Sequence, residues 1–114
     1  MMKTNTVEIE QYWPTAAPSR MGMAQAIVAH AYDVKLDDLT AATRGDPRAA
    51  RARQVTMYLA HVVFGMNFCE IARAFGRDRS TALYACHRIE DLREDPDCDR
   101  SIGWLESMLR GAVK

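Results

Sequence analysis

The chain has 114 residues, 48% of them apolar, which is room and material for one globular domain and a short tail. No apolar run approaches the ~18 residues of a membrane span. Met1–Trp13 carries Glu8, Glu10 and Gln11 in place of the apolar core of a secretory signal. The formal net charge is zero but unevenly spread: three basic against five acidic side chains in residues 1–43, eight arginines against three acids in 44–88, and four basic against seven acidic in 89–114.

In chain order, residues 1–19 read as a tail, because Pro14 and Pro18 interrupt helix formation and no amphipathic period is visible. Its large apolar groups, Tyr12 and Trp13, either fold back onto the domain or anchor a partner protein. The domain itself is expected over residues 20–112. Met23, Ile27, Val28 and Ala31 recur at helical spacing and predict a helix from Met21 to about Tyr32. Leu36–Leu39 predicts one helical turn, and Arg44-Gly45-Asp46 a polar loop. Asp46-Pro47 is a strong helix start, since Asp caps free N–H groups and Pro fits the first turn. That helix runs to about Phe64 with one apolar stripe, Val55, Leu59, Val62 and Met66; Arg53, Gln54, Met57 and His61 are expected largely off it.

Gly65 is the expected C-cap, and Asn67 with Glu70 resembles a capping box. The short helix that follows stops at Gly76, Asp78 caps the next, and Pro96 ends it. Ala82, Ala85, Cys86, Ile89 and Leu92 make the buried stripe of that helix. A last helix, about Asp99 to Arg110, is expected to bury Ile102, Leu105, Met108 and Leu109 and to stop at Gly111. With no alternating β-branched runs, no hairpin dipeptides and no repeat, the fold class is all-α, a bundle of five or six helices.

The pair of helices joined by Phe75-Gly76-Arg77-Asp78 predicts a helix-turn-helix from about Asn67 to Arg93. Ala72 is small where two helices cross, Gly76 supplies the turn, and Ile71, Phe75, Ala82 and Ala85 lock the pair. The second helix would present Asp78, Arg79, Ser80 and Thr81 to the major groove. Asp accepts from cytosine, Arg donates twice to guanine, Ser pairs with several base edges, and the Thr methyl packs on thymine. Tyr84, His87, Arg88 and Asp91 fall on the exposed side of the same helix, with Tyr84 and Arg88 one turn apart along a phosphate row. Arg51, Arg53 and Gln54, early in the long helix, are expected to position phosphates, and Arg77 joins them from the turn. The bland alternatives are an Asp78 that only caps, an Arg79 paired with Glu70 or Asp78, and a salt-bridged basic surface.

The stretch from Glu70 to Ile89, EIARAFGRDRSTALYACHRI, closely resembles the signature of the C-terminal (domain IV) DNA-binding domain of the DnaA family of bacterial replication initiators. The similarity extends upstream through Arg51–Ala60 and Ile27–Leu39, and so covers roughly residues 24–110. The resemblance implies a Trp-repressor-like helical fold and recognition of a nine-base-pair DnaA box. Carried over by position, Asp78, Arg79, Ser80 and Thr81 match the base-reading segment, and Arg53, Gln54, Tyr84 and Arg88 match positions near phosphates. Arg79 stands where the family usually has His, a departure within the base-reading segment that bears on which box sequence is read. The turn has one Gly where many members have two. The family's minor-groove arginine falls on Gly45, leaving Arg44 and Arg48 as the available substitutes.

Two classes of function follow. One is a sequence-specific reader of double-stranded DNA that regulates transcription or replication initiation, cytoplasmic and associated with the nucleoid. It would work without ATPase activity, since no G-x-x-x-x-G-K-[ST] motif is present. The other is a protein-interaction module acting through Tyr12, Trp13 or the last helix. No enzyme, nucleotide, metal or cofactor is expected. His30, His61 and His87 are scattered, and the odd set Cys69, Cys86 and Cys98 lacks C-x-x-C spacing.

Overall fold

The computed structural model describes residues 19–41 and 46–112; Tyr12, Trp13 and Arg44 lie outside them, and the described residues form six helices and no strand. Each boundary has a chemical cause. α1 (Arg20–Tyr32) starts where the Ser19 hydroxyl accepts from the Gly22 N–H at 2.9 Å. It ends at Asp33, whose φ of 54° is left-handed and which, being Asp, tolerates that conformation. α2 (Leu36–Thr40) is little more than one turn. α3 (Pro47–Phe64) begins at the expected Asp46-Pro47 step, the Asp46 carboxylate accepting from the Arg48 N–H, and ends at Gly65 with φ 69°.

α4 (Phe68–Phe75) carries the expected capping box: Asn67 Oδ1 accepts from the Glu70 N–H, and Glu70 Oε1 from the Asn67 N–H. Gly76 closes it at φ 63°, and α5 (Arg79–Leu92) follows. α6 (Pro96–Ala112) starts three residues before the expected Asp99. α5 already stops at Leu92, short of Pro96, and Pro96 instead opens α6, because a first-turn N–H needs no partner and the Asp95 carboxylate accepts from the Cys98 N–H at 3.0 Å. Gly111 lies inside α6 rather than stopping it, since its backbone stays out of the left-handed region that ends α3 and α4.

α3 is the hub, packed against each of the other five helices. The one-sided stripe read from the sequence is therefore too narrow: every residue from Val55 to Ala60 is buried, Met57 included. A helix with neighbours all round has no solvent face at its middle. Thr56 is tolerated there because its hydroxyl donates to the Ala52 carbonyl at 2.9 Å. Met66 falls beyond the end of the helix and is half-buried.

Two apolar cores form on this hub. One joins α1, α2, α3, α6 and the C-terminal half of α5, through Val28, Leu39, Val55, Leu59, Ile89 and Leu109 among others. The other joins the start of α1, α3, α4 and the N-terminal half of α5, through Met21, Met57, Ile71, Phe75, Ala82 and Ala85 among others. Each fully buried Leu, Ile, Val or Met contributes about 1.5–3 kcal/mol. Cys86 sits in the first core, and burial pushes its thiol up to about 11, so it behaves as a small apolar residue. Met108, expected inside, is 42% exposed, and Trp104, one turn earlier on the same stripe of α6, is 60% exposed.

Arg53 departs most from expectation. It is buried, and its Nε donates to the Leu39 carbonyl at 2.9 Å and its Nη2 to the Asp38 carbonyl at 3.2 Å. Arg77 reaches the same place, its Nη2 donating to the Ala41 carbonyl at 2.9 Å. Two guanidinium groups thus hold the carbonyl end of α2, where unpaired C=O groups and the helix dipole both favour cations. Burial and the nearby Arg77 together lower the Arg53 pKa. Arg93 ties α5 to α3 and α6: Nε meets Asp99 at 2.6 Å, and Nη1 meets Glu106 at 2.9 Å and the Tyr58 hydroxyl at 3.1 Å. Glu106 also accepts from Arg110 at 3.1 Å.

Arg53→Ala is expected to cost about 2–3 kcal/mol in urea unfolding, because it strips charged donors from buried carbonyls, while exposed Arg48→Ala stays within about 0.5 kcal/mol. Hydrogen bonds from Arg93, and then from Arg110, hold the Glu106 carboxyl below its ordinary range against the opposing effect of burial. The stability it contributes is complete above the unfolded pKa of about 4.3 and is lost as pH falls through the lower folded value. The urea midpoint should therefore drop on acidification below that range, and less steeply in Glu106→Gln.

Candidate nucleic-acid interface

The segment expected to read bases, Asp78–Thr81, lies where α4 hands over to α5. Arg77 N–H donates to the Ala72 carbonyl at 2.9 Å, closing the turn after α4. Gly76 has to be left-handed there, which is inexpensive only for glycine. The Arg77 side chain bends toward α2, so it is half-buried and braces the turn. Asp78 occupies the N-cap position of α5 with extended backbone, but its carboxylate makes no capping hydrogen bond. The capping role expected of that side chain is not realised, and the carboxylate stands exposed at the start of the helix.

Arg79 and Ser80 are exposed beside it, and Thr81 is half-buried. Further along, Tyr84 is 62% exposed, and His87, Arg88 and Asp91 are exposed as well. At about 100° per residue, Ser80, Tyr84, His87, Arg88 and Asp91 share one outward stripe of α5. Its opposite face, Ala82, Ala85, Cys86 and Ile89, is buried. Small residues at 82 and 85 bring α5 close to α3 and α4, so the outward stripe sits on a rigid support.

The residues expected from α3 are dispersed. Arg48 is exposed in its first turn. Arg53 is committed to α2 as described. Arg51, about 200° round the helix from it, lines a hollow with Tyr32, Val55, Asp97 and Cys98 at the start of α6, and its Nε donates to Gln54 Oε1 at 3.2 Å. Arg51 and Gln54 thus pair with each other. Arg73, exposed on α4, adds a cation that sequence reasoning did not single out.

Phe68 was missed too. The Arg79 guanidinium carbon lies 5.7 Å from the centroid of its ring, and the His61 ring stacks on it at 4.5 Å. An aromatic directly after an N-cap was the available signal. The pairing of Arg79 with Glu70 or Asp78 is not observed: among the described residues, every ion pair belongs to Arg93, Arg100 or Arg110. Seven described arginines of the basic block (48, 51, 53, 73, 77, 79 and 88) are held by carbonyls, an amide or a ring, or stand exposed, with no carboxylate partner. Among the described residues no group of three or more His, Cys, Asp or Glu side chains could hold a metal.

The family model for the bacterial DnaA protein helix-turn-helix matches residues 22–89, which span α1 to most of α5. The chain belongs to that family. Its helix-turn-helix is similar to part of the chromosomal replication initiator protein DnaA of Laribacter hongkongensis, 43% identical over 88 residues that make up 75% of this chain and 18% of that protein. The DnaA of Psychromonas ingrahamii is 39% identical over 72 residues, 62% of this chain and 16% of that protein. A crystal structure of a DNA replication initiation factor superposes with a TM-score of 0.72 at 29% identity, covering 83% of this chain and 30% of its own. The chain thus spans less than a fifth of the length of these two DnaA relatives, and the all-helical bundle of five or six helices expected from the sequence is seen as six helices without a strand among the described residues.

The two N-caps of the DnaA-type motif should separate in stability measurements. Asn67→Ala breaks the capping box and is expected to cost about 1 kcal/mol. Asp78→Ala removes no capping bond and should stay within about 0.5 kcal/mol by chemical denaturation.

Proposed function

We propose that this chain binds double-stranded DNA at DnaA-box-like sites. In this reading Asp78, Arg79, Ser80 and Thr81 face base edges, and Arg48, Arg73, Tyr84 and Arg88 face phosphates. The observation that carries the reading is the row of arginines without carboxylate partners around an outward-facing recognition helix. Cations neutralised by ion pairs would add little to phosphate binding, whereas these remain available for it. The exposed Asp78 carboxylate and the Arg79 fork meet the requirements for reading cytosine and guanine in a major groove. Relatives named as chromosomal replication initiators support a role at replication origins or at promoters carrying similar sites. The 114 residues carry no P-loop, so the proposed action is site occupancy rather than nucleotide-driven work. Residues 1–19 and 20–112 are proposed as tail and domain.

Arg51, Arg53, Gln54 and Arg77 enter this reading as supports. Arg53 and Arg77 fasten α2 beside the turn, and Gln54 holds Arg51 on the other side of α3. No helix among the described residues is long and apolar enough to cross a membrane. One observation favours a second reading, a protein-docking module: Trp104 and Met108 stand exposed on α6, beside a hollow they share with Ile27 and His30 of α1.

Titration against a labelled duplex holding a DnaA box, a site selected from a random library and a scrambled control, at two salt concentrations, tests the proposal. One specific site should bind at least about 10³-fold tighter than the scrambled duplex. Arg79→Ala should cost about 1–3 kcal/mol on that site and relax its specificity, while Arg88→Ala should weaken all duplexes alike and reduce the salt slope by about 1. Absence of binding to every duplex at low salt would refute DNA binding and favour the docking reading, for which Trp104→Ser is the first variant.

A further inference from the structure

We propose that Phe68 is a positioning residue for Arg79, holding its guanidinium ready to meet a guanine edge; this deepens, and rests on, the reading of Arg79 as a base-contacting residue. The argument starts from how firmly the ring is held. Phe68 is the first residue of α4, directly after the Asn67 capping box, so its backbone is pinned by two reciprocal hydrogen bonds. Its side chain is half-buried and packs against both apolar cores. The His61 ring lies on it at 4.5 Å with 25° between the planes. His61 is in turn tied through Nδ1 to the Met66 carbonyl at 2.9 Å. Three elements, α3, α4 and the turn between them, thereby fix one aromatic surface.

Arg79, the first residue of α5, places its guanidinium carbon 5.7 Å from the centroid of that ring. Arg79 is exposed and has no carboxylate within ion-pair distance among the described residues. The ring is therefore the group that orients it, and a ring does this differently from an acid. An aromatic face attracts a cation through its quadrupole and consumes none of the five N–H donors. A carboxylate would occupy the donor fork that has to engage guanine O6 and N7. The stack also removes rotamer freedom before binding, so less is lost when the side chain docks.

The test uses the full chain and the duplex selected from a random library, with a scrambled duplex beside it. Phe68→Leu is expected to lower discrimination between the two duplexes by about two- to five-fold, the range of an exposed cation–π contact, with scrambled-duplex binding unchanged. Phe68→Tyr should restore discrimination. In an Arg79→Ala background Phe68→Leu should have no further effect on discrimination. Equal loss on both duplexes, or an equal effect without Arg79, would make Phe68 a packing residue only and overturn this inference while leaving base reading intact. An Arg79→Ala variant that keeps full discrimination would overturn both. Should Phe68→Leu unfold, the wild-type protein still decides: Arg79 side-chain protons over the ring resonate upfield of random-coil positions, and ordinary shifts would overturn the stack.

Discussion

Everything in this domain depends on α3 being enclosed. A helix buried round its middle has to be built of residues that need no water, and Val55–Ala60 meet that demand, with Thr56 satisfying itself on the Ala52 carbonyl. Enclosure on all sides also means that each surrounding helix is positioned by the same object. α6 packs on one core and α4 on the other, while α1 reaches both and α5 crosses both through its N- and C-terminal halves. The stripe of α5 that faces solvent is thus set by small residues on its buried face, Ala82 and Ala85, which let it approach the hub closely.

The arginines divide by what surrounds them rather than by where they fall in the chain. Arg53 and Arg77 turn inward and close the carbonyl end of α2. Arg93 and Arg110 join acids of the C-terminal third, which balance them. Arg48, Arg73, Arg79 and Arg88 remain at the surface without acidic partners. A chain with zero formal charge can therefore keep several exposed cations without acidic partners, since cancellation in the total says nothing about distance, and exposed charges farther apart than about 8–10 Å are largely screened from one another.

Neutral hydrogen bonds and a ring take the place of ion pairs in holding several arginines of the middle of the chain. That choice keeps the cations ordered and still chemically open. Arg51 with Gln54, Arg77 with a carbonyl and Arg79 with Phe68 are all arranged so. It is consistent with a surface whose counter-charge arrives from outside, as phosphate would.

The sequence by itself determined the motif and the helix ends around it, though not the bounds of α6. Asp46-Pro47, Gly65, the Asn67–Glu70 box and Gly76 act through bonds within a few residues of each other, so local chemistry suffices to read them. The outward stripe of α5 was legible for the same reason, because a period of 3.6 places Tyr84 and Arg88 together once Ala82 and Ala85 are taken as buried. Tertiary structure alone decided the rest. Arg53 looked like a surface cation because nothing near it in the chain reveals that α2, fourteen residues earlier, would lay its carbonyls beside it. Met57 looked exposed because one stripe is all that a single helix shows, whereas the number of neighbours is a property of the assembled bundle. Asp78 has the composition of a cap, yet its carboxylate makes no capping bond, and the ring that holds Arg79 comes from a residue eleven positions away. Contacts of that range depend on how the helices cross, and crossing geometry is settled only when the side chains of the whole core interdigitate.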